Sequence, residues 1–254
     1  METTLFHTLI VGSLIGIAGG VLGSFALLRR MALVGDALSH VALPGLALGI
    51  LFHFNPFIGA TALLLFGTTL IWVIEHQTKL PVDTLVGVMF VVALAIGILL
   101  TPETELLEAL FGNIKTVSLH NFWFASLLSI AMSAALLLLS KKLTLALISP
   151  ELAKSVNLRP HLLEFIFLSI FALVVAIGIK LMGVLLLGAL IIIPAAIARN
   201  ISSSMRMYVG LSALLGVVGA VVGILLSSLF GFAPGPAFVL FLGTLFFISI
   251  FFKK

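Results

Sequence analysis

An aspartate and a histidine stand four positions apart within strongly apolar sequence, at Asp36 and His40. On an α-helix, residues four apart lie on one face about 5–6 Å from each other, so a carboxylate oxygen and an imidazole nitrogen could hold one cation between them. Two structural interpretations compete with a metal site. Asp36, directly after Gly35, could cap the start of a helix, and His40 could be a buried polar residue bonded to a neighbouring carbonyl. The spacing alone leaves all three interpretations open.

The composition is that of a membrane protein with many spans. Hydrophobic residues make up 62% of the 254 residues and charged residues only 9%, whereas about a quarter of an average soluble domain is charged. A spanning helix takes about 20 mostly apolar residues, so the chain has room for at most about ten spans and for no sizeable soluble domain. We expect a multi-pass membrane protein, surrounded by lipid. Because ionisable groups inside a bilayer are costly, this setting favours a functional role for Asp36 and His40.

Several classes of function are excluded by residues that the sequence lacks. The chain has no cysteine, so disulfides and thiolate metal sites are ruled out. No G-x-x-x-x-G-K-[ST] phosphate loop, G-x-S-x-G elbow or H-E-x-x-H helix occurs, so the chain is not expected to be an enzyme. The net charge of +4 lies at loops and at the C-terminus rather than in a basic stripe, which predicts no nucleic-acid binding.

Nine apolar segments predict an all-α, polytopic membrane helix bundle of about nine spans, with the whole chain, 1–254, as one transmembrane domain. The segments are residues 5–28, 36–54, 57–75, 84–100, 120–140, 162–181, 183–198, 208–230 and 236–252. Positively charged loops stay in the cytoplasm, and an N-terminus outside with a C-terminus inside puts 11 of the 13 lysines and arginines there. The prediction is weakest at the seventh span, because residues 181–183 offer almost no polar turn.

The longest polar stretch of the chain covers residues 149–160 and predicts a short cytoplasmic helix. Ser149 can cap its start, and Pro150 suits the first helical position. Asn157 can adopt the left-handed conformation that ends a helix. Such a helix between two spans is either a simple connector or the surface through which a soluble partner moves the spans.

The loop over residues 101–120 is predicted to lie outside the membrane. It carries three acidic residues, Glu103, Glu105 and Glu108. Apolar residues among them favour a short amphipathic helix at the outer surface. The acidic residues either keep the loop in solvent or form a docking surface for an external partner.

Histidines near the predicted span ends are most simply structural. His76 and His161 stand at loop ends, where an interfacial or hydrogen-bonded histidine is the ordinary interpretation. His161 and Glu164 are three positions apart and could pair on one helix face.

Nine short stretches, taken together, carry a resemblance to a known family. They are residues 22–25, 29–31, 35–40, 55–57, 83–87, 110–113, 149–153, 188–190 and 193–199. In order and spacing they resemble the membrane-spanning permeases of ABC importers for zinc, manganese and iron, through nearly the whole chain. The likeness is strongest to the zinc-uptake permeases, and the manganese and iron members share most of these stretches.

The resemblance implies a homodimeric pore in a plasma membrane (a bacterial inner membrane). The pore is driven by cytoplasmic ATPase subunits, on which ATP hydrolysis is expected, and it is supplied by an extracytoplasmic metal-binding receptor protein. The resemblance further implies that Asp36 and His40 bind the transported divalent metal, zinc in the first place, as substrate, with no permanently bound cofactor. It also implies that the segment over about 149–159 is a coupling helix to the ATPase, formed by Pro150, Glu151, Leu152, Ala153, Lys154 and Asn157. Relatives usually have glycine where this chain has Asn157, and asparagine tolerates the same left-handed geometry.

We therefore expect the permease of an ATP-driven importer that works by alternating access. One alternative is a manganese or iron importer of the same family. The other belongs to a different class and is a secondary metal transporter driven by an ion gradient, because short, broken spans also occur in such carriers.

Overall fold

The structure is a computed structural model that describes residues 2–78, 80–100, 119–184, 187–231 and 233–252. These residues fold into ten α-helices joined by short turns, and no strand occurs among them. The helices are α1 (Glu2–Leu28), α2 (Val34–Leu51), α3 (Pro56–Thr78), α4 (Val82–Leu100), α5 (Leu119–Ile148), α6 (Pro150–Ser155), α7 (Pro160–Met182), α8 (Leu187–Ile201), α9 (Met205–Phe230) and α10 (Pro234–Ile250). The prediction of an all-α protein is confirmed.

Seven helices of the described part of the chain are long and apolar enough to cross a membrane, namely α1, α2, α3, α4, α5, α7 and α9. The apolar helices α8 and α10 are shorter, with 15 and 17 residues. At a rise of 1.5 Å per residue they extend about 22–26 Å, less than the roughly 30 Å of a bilayer's hydrocarbon core. All nine predicted segments therefore coincide with helices, and seven of those helices have the length of a full crossing.

Two helix ends differ from their predicted positions by four residues or more. Helix α5 continues to Ile148, past the predicted end at residue 140, because the long side chains of Lys141 and Lys142 can keep their charges in water while the helix goes on. Helix α7 ends at Met182, Gly183 follows with a φ of 76° that suits glycine, and α8 begins only at Leu187. The predicted break at residues 181–183 is therefore present, but α8 begins four residues later than predicted, because the apolar residues after Gly183 resemble helix in sequence.

Helix α1 forms the centre of one side of the bundle, against α9. A Cβ added to Gly16 would lie 2.5 Å from the carbonyl oxygen of Gly216, and one added to Gly20 would collide with the backbone of Ser212. The two backbones therefore meet through small residues, as is usual for helices packed in a membrane. The Ser212 hydroxyl also donates a hydrogen bond to the Gly20 carbonyl, at 2.7 Å.

Helix α2 packs among α3, α4, α7 and α8, and it continues through Pro44 without ending. The backbones of Gly45 in α2 and Gly59 in α3 are in direct contact, since a Cβ on either would overlap the carbonyl of the other. Most side chains of α2 are therefore buried among the neighbouring helices.

One end of the bundle carries most of the polar contacts between helices, and we call it the α6 end. Helices α1 and α3 stop there, α6 lies there in contact with α5 and α7, and α7 begins there. Arg29, just after α1, bonds to Glu164 in α7, and the Trp72 indole near the end of α3 donates to the His161 carbonyl at 3.0 Å. These contacts join parts of the chain that are far apart in sequence.

Candidate functional site

Asp36 lies inside helix α2 and does not cap it. The residue at the cap position is Leu33, which makes no side-chain hydrogen bond, and Asp36 follows in the first turn. The interpretation of Asp36 as a helix cap is therefore wrong. Asp36 is half-buried, and a first-turn position places its carboxyl group near the partial positive charge of the helix N-terminus.

His40 lies one turn further along α2, and its ring has an unused nitrogen. The Nδ1 atom is buried and has no hydrogen-bond partner among the described residues, while the ring packs edge-on against Phe90 with 5.0 Å between the ring centroids. A buried polar atom left without a partner costs about 1–3 kcal/mol. The negative charge of Asp36 acts on the same ring. The competing interpretation, with Nδ1 bonded to a carbonyl, is not seen, and the nitrogen is free to bind a ligand.

Gly188 lets the start of α8 approach Asp36 closely. A Cβ added to Gly188 would lie 2.7 Å from the Cβ of Asp36 and 2.9 Å from its Cα. On the other side of the contact, a Cβ on Gly35 would come within 3.6 Å of the Gly188 Cα. Only glycine fits at position 188, so the acidic residue is held against a second helix by backbone rather than by a movable side chain.

Ser39, between the two predicted ligands, ties α2 to the break between α7 and α8. Its side chain is fully buried, and its hydroxyl lies 2.7 Å from the Val184 carbonyl oxygen and 2.6 Å from the Asp36 carbonyl oxygen. Carbonyls at a helix end lack partners within the helix, so the serine satisfies a group that the break exposes. Sequence reasoning missed Ser39, although its place in the same helical turn as Asp36 and His40 was a usable signal.

The pair lies well inside the bundle, away from the α6 end. Gly35 packs beside the Phe171 ring, and Phe171 is seven residues beyond Glu164 along α7. Seven residues of helix correspond to about 10 Å, or two turns. Asp36 and His40 are thus about two turns deeper than the Arg29–Glu164 contact, next to the irregular backbone at Val184. Non-helical backbone at such a depth is found where it is buried in protein or lines a cavity.

One chain offers two candidate metal ligands at this place, Asp36 and His40. Within the described residues there is no group of three or more histidine, aspartate or glutamate side chains that could hold a metal ion. An ion between Asp36 and His40 would need water or a second chain to complete its coordination.

The predicted short helix is present as α6. The Ser149 hydroxyl accepts a hydrogen bond from the Leu152 amide at 3.3 Å, and Pro150 takes the first position. Asn157 has a φ of 59°, so the expected left-handed turn is confirmed. Ala153 is buried beneath the helix.

The outer face of α6 is open to solvent. Glu151, Lys154 and Asn157 are exposed there, and the apolar Leu152 is 58% exposed. An exposed leucine between two charges of opposite sign is a surface that a protein partner could cover.

Two further predictions have different outcomes. Glu103, Glu105 and Glu108 lie outside the described residues. No hydrogen bond between His161 and Glu164 occurs among the described contacts, and the Glu164 carboxylate accepts a bond from the Arg29 guanidinium at 3.1 Å instead. A buried arginine is the stronger partner, since a guanidinium is charged at every physiological pH.

Arg29 is the centre of a buried charged cluster at the α6 end. Its side chain is 8% exposed, and the guanidinium lies over the Phe167 ring, 4.9 Å from the centroid. Burial lowers the pKa of Arg29, and the charges of Glu164 and Glu75 oppose that shift. Arg29 Nε and Glu75 Oε2 are both buried without a hydrogen-bond partner in the described part of the chain. Three helices meet around one arginine whose bonding capacity is only partly used.

Comparison with known proteins agrees with this architecture. Residues 1–253 match the model of the ABC 3 transport family. The chain belongs to that family. Its relatives include the manganese transport system membrane protein MntC of Listeria monocytogenes, which is 31% identical over 98% of this chain and 90% of its own. They also include the high-affinity zinc uptake system membrane protein ZnuB of Haemophilus influenzae, 31% identical over 99% of this chain and 98% of its own.

A solved structure has the same fold. PsaBC from Streptococcus pneumoniae, in complex with a Fab, superposes with a TM-score of 0.84 at 30% identity, over 99% of this chain and 92% of that one. Family and relatives confirm the resemblance seen in the sequence, and they confirm that the chain is a multi-pass plasma-membrane permease and not an enzyme. Manganese and zinc relatives are equally similar, so similarity does not select between the two metals.

Proposed function

We propose that this chain is the permease subunit of an ABC importer that carries a divalent transition metal into the cytoplasm by alternating access. The observation that supports this most is the free, buried Nδ1 of His40, one helical turn from Asp36 in a family of transport proteins. In this proposal the metal arrives from an extracytoplasmic receptor protein, binds Asp36 and His40 in transit, and leaves inward when ATPase subunits change shape.

A transit site has to release its ion, so a small number of protein ligands is an advantage. Two ligands in each chain, completed by water, would bind a metal more weakly than a closed site with four protein ligands. We propose a homodimer in which two such pairs face each other across the pore. The metal is then substrate and not a resident cofactor.

We propose zinc as the cargo, with manganese or iron as the alternative. Imidazole suits zinc and iron, and carboxylate also suits manganese, so the two ligands allow all three metals, and zinc is placed first on the resemblance of the sequence to zinc-uptake permeases. Because relatives are named for manganese and for zinc, the transport experiment has to test both metals.

We further propose nine membrane crossings, with the N-terminus outside, the C-terminus inside and the α6 end in the cytoplasm. The charge distribution supports this, because 11 of the 13 lysines and arginines would then be cytoplasmic. The contacts of Arg29 with α7 and of Trp72 with His161 support it too, since they require the ends of α1 and α3 and the start of α7 to share one side. Helices α8 and α10 would cross as short helices within a single domain, 1–254.

Helix α6 is proposed as the coupling helix to the ATPase, with Pro150, Glu151, Leu152, Ala153, Lys154 and Asn157 as its working residues. Its exposed Leu152 and flanking charges support this role. Glu151→Lys or Lys154→Glu should weaken co-purification with the ATPase, and Lys142→Glu, on α5, serves as the matched control. Glu103, Glu105 and Glu108 are proposed to contact the receptor protein, on the charge pattern alone.

Uptake into proteoliposomes tests the function. The permease is reconstituted with its ATPase and receptor protein, and accumulation of zinc, manganese and iron is measured with and without ATP. We expect ATP-dependent zinc uptake, with the other metals slower. The opposite result is that the purified permease alone carries metal down its gradient as fast as the complete system does. That result would contradict an ATP-driven importer and favour a secondary transporter.

A further inference from the structure

Two histidines from different helices touch at the α6 end. His76 lies in the last turn of α3, and His161 is the second residue of α7. Their ring centroids are 4.0 Å apart, with the ring planes at 88°. Both side chains are exposed to solvent. We call Asp36 and His40 the transit pair. The two histidines at the α6 end belong neither to the transit pair nor to the outer face of α6, and the proposed transport cycle gives them no role. We call them the histidine pair.

Trp72 holds both histidines in place. Its indole Nε1 donates a hydrogen bond to the His161 carbonyl at 3.0 Å, and its ring stacks on His76 with 5.4 Å between centroids and 26° between planes. One rigid side chain therefore fixes the backbone of one histidine and the ring of the other. Such support keeps two imidazoles close to each other, which two exposed side chains would not achieve unaided.

Two neutral imidazoles are a ligand set for a transition metal. Each offers a ring nitrogen to an ion such as Zn²⁺, which binds histidine nitrogens at about 2.0–2.1 Å and completes a tetrahedron with water. The rings now meet edge to face, so one of them has to rotate about its side-chain bonds to present its nitrogen. Exposure at two helix ends leaves room for that rotation. Each neutral imidazole would keep a proton on its second nitrogen.

The surrounding charges favour weak binding over tight binding. Glu164 lies one turn beyond His161, and Glu75 is next to His76, so two acidic residues are close. Lys154 and Arg159 oppose them, because they line the cavity of about 410 Å³ that opens beside His161 and Trp72. A two-histidine site with mixed charge around it would fill only when metal is plentiful.

The position of the pair connects metal binding to movement. Helix α7 follows α6 after a short turn over residues 156–159, and the histidine pair joins the start of α7 to the end of α3. An ion bound by both rings would fix α7 against α3. Any state of the transporter in which these helix ends separate would then be disfavoured, because a ligand stabilises the conformation that it binds better.

We propose that His76 and His161 form a second transition-metal site, on the cytoplasmic face, and that metal bound there slows import. The inference about import rests on the proposed function, whereas the binding site does not. The chemistry that would recognise the site is a divalent ion that accepts two imidazole nitrogens, with Zn²⁺ favoured over Mn²⁺.

Metal binding is tested in the assembled transporter, with its ATPase, in lipid nanodiscs. Asp36→Ala and His40→Ala are combined to remove the transit pair, and binding of Zn²⁺ alone is measured by equilibrium dialysis. We expect saturable zinc binding that His76→Asn or His161→Asn weakens at least about tenfold, as loss of metal-site residues does elsewhere. His7→Asn, near the opposite end of the bundle, is the matched control and should leave binding unchanged. Equal binding by all three variants would overturn the site.

Regulation is tested with the transit pair intact. Zinc added at the ATPase side should lower ATP-driven uptake, and His76→Asn or His161→Asn should raise the half-inhibiting zinc concentration at least about tenfold. Unchanged inhibition in variants that have lost zinc binding would overturn the regulatory role. If the transporter imports metal but the histidine variants bind zinc like the parent, the second site is overturned and the proposed function is kept. If zinc binding depends on His76 and His161 but the transporter imports no metal, the proposed function is overturned and the second site is kept.

Discussion

The transit pair and the histidine pair are built in opposite ways. Asp36 and His40 stand on one helix, half-buried, and are supported by backbone contacts from Gly188 and Val184. His76 and His161 stand on two helix ends, exposed, and are supported by one tryptophan side chain. Ligands on one rigid helix keep their separation when the bundle moves, whereas ligands on two helices change theirs. The first arrangement suits holding an ion through a transport cycle, and the second suits sensing the cycle.

The two regions also differ in which buried polar atoms lack a hydrogen-bond partner among the described residues. At the transit pair it is the buried Nδ1 atom of His40. At the α6 end it is Arg29 Nε and Glu75 Oε2, which lie in a charged cluster beneath the histidine pair. The predictions below disturb these two regions separately, in order of decreasing expected effect.

The strongest test of the α6 end removes the partner of Arg29. Glu164→Gln leaves a guanidinium that is 8% exposed without its bonded carboxylate. Losing one partner of a buried ion pair costs about 3–5 kcal/mol, and we expect the lower end of that range because Glu164 is 21% exposed. The measurement is the free energy of unfolding in detergent micelles.

Glu75→Gln is the matched control for that prediction. Glu75 also acts on Arg29 electrostatically, but no bond joins the two side chains in the described contacts. We expect it to cost clearly less than Glu164→Gln. Equal losses from the two variants would mean that the bond to Glu164 is not what stabilises this end of the bundle.

A methyl group at Gly188 tests the rigidity of the transit pair. The Cβ of Gly188→Ala would lie 2.7 Å from the Cβ of Asp36, so α8 or α2 has to move. Overpacking of this kind costs about 1–3 kcal/mol of unfolding free energy. We expect metal uptake to fall at least about tenfold, because displaced catalytic or binding geometry loses function more steeply than stability.

Gly210→Ala provides the comparison for position 188. Gly210 also lies in a helix, α9, but a Cβ there meets nothing within 4 Å. Its uptake and stability should equal or exceed those of the parent, since alanine favours helix more than glycine does. If both variants transport metal normally, Asp36 does not depend on the close approach of α8.

The smallest expected effect comes from the hydroxyl of Ser39. Ser39→Ala leaves the Val184 carbonyl without this bond, which costs about 1–3 kcal/mol when the group is buried. Ser169→Ala, on α7, removes a hydroxyl bonded only within its own helix and should cost less. Thermal melting of the two variants measures the difference, and the same melting temperature for both would show that Ser39 is not a link between helices.

Local features could be predicted from the sequence because local spacing determines them. The separation of Asp36 and His40 follows from four positions on one helix, and α6 follows from Ser149, Pro150 and Asn157, all within a dozen residues. Nine apolar segments gave the helices for the same reason, since apolar length alone defines a candidate span.

Contacts between distant residues could not be predicted in this way. Arg29 and Glu164 are 135 residues apart, and Trp72 and His161 are 89 apart, so their contact depends on which helices pack together. The sequence located the break between α7 and α8 near residues 181–183 but not its extent to Leu187, because the residues there are as apolar as the helices on either side. It offered the nearer residue His161 as a partner for Glu164, and packing brings Arg29 to that carboxylate.

Metal uptake by a chain without the transit pair tests the central claim most directly. The permease with Asp36→Ala and His40→Ala is reconstituted with its ATPase and receptor protein, and ATP-driven zinc uptake is compared with that of the parent and of His7→Ala. We predict that uptake is abolished in the double variant and retained in His7→Ala, while the ATPase still co-purifies with both. Full uptake by the double variant would contradict the assignment of Asp36 and His40 as the ligands of the transported metal.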